Sequence, residues 1–133
     1  MPEFRHVEAD VLKSLHRLAE LAIEEIVLAG FSASMIDDEQ EPAGAKLEID
    51  TGDYDTGGVY VDWKPHPQIS EAVIQLAQAG DFENPIINKS ATIKAAALEA
   101  ILTVLKAANF NAEMSEEEMR PLSIKILSGP TTL

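Results

Sequence analysis

A two-layer α+β domain is the fold that this sequence predicts, on three patterns. Two long stretches, 5–29 and 90–108, place apolar residues three and four apart, the spacing of one helical face. Three short stretches, 46–50, 58–64 and 122–126, alternate apolar with polar residues, as strands with one buried face do. Strands so patterned expose a single apolar side, so the helices have to cover one face of a small sheet. The length of 133 residues, 46% of them hydrophobic, matches one domain spanning 1–133.

The first helix rests on Val7, Val11, Leu15, Leu18, Ala22 and Ile26, a stripe widened by Leu12, Ile23 and Val27. Gly30 stands where a left-handed residue ends a helix. In 31–45, Phe31, Ala33 and Met35 alternate with polar residues ahead of the acidic stretch 37–42, which reads as a loop with room for a short edge strand. The stretches 46–50 and 58–64 bring Leu47 and Ile49 opposite Val59, Val61 and Trp63, and so predict a hairpin. Its connection, 51–57, is longer than a two-residue turn and contains two glycines.

Pro65 and Pro67 stop ladder pairing, and Pro67 suits the first turn of a helix over 67–79 that Gly80 closes. After a loop over 81–89, Ser90 is the expected cap of a helix reaching 108, with Ile93, Ala97, Ile101, Val104 and Leu105 on its buried face. Ser115 and Glu118 have capping-box spacing and predict a short turn of helix before Pro121. Leu122, Ile124 and Ile126 then form a last strand, halted by Gly129-Pro130. The expected order is α-β-β-α-α-β: a mainly antiparallel sheet, made of the hairpin plus the C-terminal strand, covered on one face by three helices.

Charge narrows the function classes. Asp and Glu number 23 against 10 Lys and Arg, a net charge of -13, so nucleic-acid phosphates are repelled over most of the surface. The excess is concentrated: residues 37–62 hold nine acidic side chains and one basic one. No cysteine is present, which removes disulfides, thiolate nucleophiles and cysteine-ligated metal sites. The start, Met1-Pro2-Glu3-Phe4-Arg5-His6, lacks the basic and apolar regions of an export signal, and the most apolar stretch, 18–29, carries Glu20, Glu24 and Glu25. A soluble protein of the cytoplasm is expected, and the sequon Asn88-Lys89-Ser90 reads as accidental.

No catalytic motif stands out. Asp50-Thr51-Gly52 looks like the catalytic turn of aspartic proteases, and Asp55-Thr56-Gly57 repeats the tripeptide. That chemistry needs two equivalent turns from separate lobes or subunits, whereas both tripeptides sit in one loop, where flexible hairpin tips use the same residues. Asp50, Asp53, Asp55 and Asp62 supply the hard oxygen ligands that Ca²⁺ or Mg²⁺ selects, but the offsets of an EF-hand are absent. His6 and His16 are ten residues apart and point to different sides of the first helix, and His66 has no nucleophile turn to serve. Trp63 reads as a core residue.

The expectation is therefore a stoichiometric binding protein rather than an enzyme, with no cofactor and no catalytic or metal-ligating residue assigned. Its contact residues are Glu48, Asp50, Asp53, Asp55 and Asp62, with Tyr60 as an aromatic anchor, on a sheet face that helices leave open. The partner is a protein with a basic surface; inhibitor and immunity proteins offer an analogy of charge and size alone. A homo-oligomer built on the open sheet face or the first helix is a further alternative. The remaining alternative is a metal-dependent or acid–base enzyme using the Asp-rich loop. It requires Ca²⁺, Mg²⁺ or Mn²⁺ to raise the melting temperature and Asp53→Asn to abolish the rise; a melting temperature that stays flat up to millimolar metal removes it.

Overall fold

The computed structural model describes residues 2–38, 43–50, 58–116 and 122–130. Along the chain run α1 (Pro2–Leu28), β1 (Ala33–Met35), β2 (Gly44–Asp50), β3 (Gly58–Lys64), α2 (Pro67–Gln78), α3 (Pro85–Ala107), β4 (Asn111–Met114) and β5 (Ile124–Ser128). The strands form one sheet in the order β1-β2-β3-β5-β4; β1 lies parallel to β2 and every other pair is antiparallel. The predicted α+β class holds; β1 falls at the sheet edge where the alternation of 31–35 leaves room for a short strand, and β4 is the one strand the alternation does not indicate.

All three helices end in the same way. The amide of Phe31 donates to the Ile26 carbonyl and that of Gly30 to Val27, a Schellman closure with Gly30 at φ 101°. Asp81 and Gly80 repeat the pattern on Leu76 and Ala77, with Gly80 at φ 75°. Phe110 and Asn109 do so on Leu105 and Lys106, with Asn109 at φ 69° in the place of glycine. Phe110, just past this stop, is buried in the core beside Leu105, so the motif also anchors the exit of α3.

Two helices also begin alike. His66 Nδ1 accepts the Gln68 amide at 3.1 Å ahead of Pro67, and Asn84 Oδ1 accepts the Ile86 amide at 3.1 Å ahead of Pro85. The second of these corrects the expected cap at Ser90, which lies inside α3. Proline after a capping side chain loses no helical hydrogen bond, so the helix nucleates at Asn84 and gains more than a turn. The capping box at Ser115 and Glu118 involves residues outside those described. Ser115 itself continues the ladder, its amide donating to the Ser123 carbonyl at 2.7 Å.

The core lies between the sheet and two of the helices. Ala19, Ala22 and Ile26 of α1 and Leu98, Ile101 and Leu105 of α3 are fully buried against Ala45, Leu47, Val59, Val61, Ile124 and Ile126. Small alanines at 19 and 22 let α1 lie close to the strands. α2 has no buried residue and packs mainly on α3, so it forms the flank of the helical layer. Trp63 borders the core as expected, edge-on to Phe31 with centroids 6.4 Å apart. No helix among the described residues is long and apolar enough to cross a membrane.

Gly44 starts β2 at φ 110°, and a Cβ there would meet the Ser32 carbonyl oxygen at 2.7 Å. Gly80 has a positive φ but open space around it. Gly80→Ala is expected to cost roughly 1 kcal/mol from backbone strain alone, and Gly44→Ala clearly more because the β1–β2 junction has to move. Urea unfolding midpoints of the two variants test that ranking.

Candidate functional site

Period-two alternation places the acidic positions of the hairpin together. The odd-numbered residues of β2 and β3 face the helices, so Glu48, Asp50, Tyr60 and Asp62 share the opposite face. Register aligns Ser34, Lys46 and Asp62 in one row across β1, β2 and β3. A second row runs through Glu48, Tyr60, Lys125 and Glu113 across β2, β3, β5 and β4. Asp53 and Asp55 lie outside the described residues.

Cations interleave with these carboxylates. Lys46 is 5% exposed, and its ammonium donates to Ser34 Oγ at 2.8 Å and to the Asp38 carbonyl at 3.4 Å. An ammonium so enclosed has to be bonded to offset its desolvation. Lys125 lies over the Tyr60 ring with its Nζ 5.6 Å from the centroid, a cation–π contact between direct cross-strand neighbours.

Asp62 does two things. Its Oδ1 accepts the Trp63 amide at 2.8 Å, two residues beyond the last β3–β5 pair, Val61 with Ile124, where the ladder would otherwise leave that donor bare. The same oxygen meets Lys94 of α3 at 3.0 Å. Both side chains are partly solvated, so the ion pair contributes about 0.2–1 kcal/mol. Leu122, at φ 62°, breaks the line of β5 at this point.

Tyr60 corrects the expectation of an aromatic anchor. It is 2% exposed, and therefore supports the sheet instead of presenting a ring to a partner. Sequence alternation correctly puts it on the face away from the helices, but the burial of Ser34, Lys46 and Tyr60 shows that the centre of this face is covered too. Glu48 and Asp50 are half-buried and engaged in interactions of their own, and Asp62 is the most exposed of the four. What the face offers to solvent is a carboxylate rim around a lysine-bearing centre.

Among the described residues no group of three or more His, Cys, Asp or Glu side chains could hold a metal ion. His16 is exposed on α1 and His66 serves as a helix cap. The contributions of Lys46, Lys94 and Lys125 were absent from the sequence reading. Their signal was available in part, since lysine at the outward positions of strands that otherwise carry Glu and Asp marks cross-strand pairing. No family model, curated protein or solved structure matches the chain.

Tyr60→Ala is expected to destabilise the fold by about 3–5 kcal/mol, as truncation of a buried aromatic does. Lys125→Ala should cost about 0.5–2 kcal/mol through the lost cation–π contact and stem packing. Chemical denaturation of both measures the difference; equal, near-zero losses would contradict the burial of Tyr60.

Proposed function

We propose that this chain is a protein-binding module that acts stoichiometrically on a basic protein partner through the carboxylate rim of its β2–β3 ribbon. The observation that carries the reading is the convergence of Glu48, Asp50 and Asp62 on one sheet face, within the segment holding the largest acidic excess. Asp53 and Asp55, which fall between the two strands in the sequence, add to the acidic excess of that segment. Tyr60 leaves the contact set and becomes part of its support.

Electrostatics of this kind steers a cationic protein toward the ribbon and sets orientation, with binding that weakens as salt rises. A net charge of -13 supports a protein partner over a nucleic acid. Cytoplasmic action and a role without cofactor or catalysis belong to the same proposal. A partner competes with Lys94 for Asp62 at the exposed end.

Affinity capture from a native extract with the wild-type chain and with Glu48→Lys/Asp50→Lys tests the proposal. The wild type is expected to retain a basic protein that elutes with salt, and the double variant to lose it while keeping its circular dichroism spectrum. Identical captured proteins for both chains would remove the acidic rim as the binding surface.

A further inference from the structure

α2 contributes nothing to the buried apolar cluster. It has no buried residue, none of its side chains belongs to the core between α1, α3 and the sheet, and its main packing partner is α3. Ile69, Val73 and Leu76, spaced four and three apart, are half-buried along one side, while Ile74 on another side is 55% exposed. Partial burial of that kind gives each side chain only a fraction of the transfer energy that Leu98 or Ile101 gains. α2 is therefore held by its ends as much as by its face, the condition under which an element opens separately from the body it rests on.

At its amino end the acceptor is an imidazole: His66 Nδ1 takes the Gln68 amide at 3.1 Å. An Nδ1 that accepts holds no proton, so this cap exists only in the neutral ring, with its proton on Nε2. Acid adds a proton at Nδ1, which turns the acceptor into a donor aimed at another donor and sets a positive charge at the positive end of the helix dipole. No acidic residue stands in the first turn to offset it, and Ser70 Oγ is turned toward the His66 and Pro67 carbonyls. Among the elements around His66, β3 carries Asp62 and Lys64, α2 carries Glu71, and α3 carries Lys89, Lys94, Glu99 and Lys106. Lys94 pairs with Asp62, and among the described residues none of these groups forms an ion pair with His66. α3 supplies the contrast. Asn84 Oδ1 makes the same bond at the same 3.1 Å, also ahead of a proline, with a group that does not titrate.

We propose that His66 is a pH-sensitive latch on α2: with the ring neutral α2 stays docked on α3, and as the ring gains its proton α2 opens as a unit while α1, α3 and the sheet stay folded. The sign follows from which form makes the bond. The cap is complete on the alkaline side of the range in which imidazole titrates and is lost as pH falls through it. Opening releases Ile69, Val73 and Leu76 together, so the latch converts one proton into an apolar surface. Gly80, at φ 75° with open space around it, sits at the other end of α2, where the opening helix has to turn. The latch involves neither carboxylate rim nor partner and stands independently of the binding-module reading.

Amide hydrogen exchange of the full chain, read by NMR and corrected for the intrinsic pH dependence of exchange, tests the latch between about pH 8 and pH 5. Over 71–78 the wild type is expected to lose protection about fivefold at the lower pH, the factor that loss of a cap gives, while the amides of Val59, Val61, Leu98 and Ile101 keep theirs. His66→Asn retains an acceptor with no proton to gain, and is expected to hold α2 protection constant over the same range. That variant also separates His66 from His6 and His16, which remain in it. His66→Ala, at an exposed position, is expected to show the low α2 protection at both pH values. Equal α2 protection at the two pH values in the wild type overturns the proposal, as does an undiminished drop in His66→Asn. A loss shared evenly by α1, α3 and the sheet would make the acid effect global and overturn it too.

Discussion

Leu47 and Val61 face each other across the central hairpin, and covering that pair governs the rest of the structure. The Leu47 carbonyl accepts from Ile36 on the β1 side, so toward β3 this is a non-hydrogen-bonded position, where cross-strand side chains approach most closely. Ile26 of α1 and Ile101 of α3 belong to the same fully buried cluster. A slip of one residue between β2 and β3 would turn Leu47 to the outer face and Lys46 to the core, exchanging a buried hydrocarbon for a buried ammonium. Register is therefore held by both faces at once.

That same constraint decides the character of the outer face. Once Leu47 and Val61 point inward, Glu48, Tyr60 and Asp62 have to point outward, and so do Lys46 and Lys125. Acidic side chains thus meet as a consequence of core formation, and the lysines among them limit their mutual repulsion. The surface proposed for a basic partner is the reverse side of the core's own alternation.

Most of the architecture was legible in short-range patterns. The first helix, the hairpin, the glycine stops at 30 and 80 and the last strand follow from periodicity and from residues with special backbone freedom. The misses share a cause. β4 is four residues long and only Ala112 in it is buried, so it carries too little alternation to read, and pairing with β5 defines it. The start of α3 at Asn84-Pro85 was masked by the more familiar serine cap at 90, although Pro65-His66-Pro67 shows that proline can follow a cap directly.

The candidate site divides in the same way. Sequence alone determined which side chains share the ribbon's outer face, because strand periodicity of two is local and covalent. It also determined the sign of the charge there. Only the tertiary structure decided that Tyr60 is covered, that Lys125 crosses from β5 to lie over it, and that Lys94 reaches Asp62. Those outcomes depend on strand order and on where a helix lies against the sheet, and no spacing within a single segment encodes either.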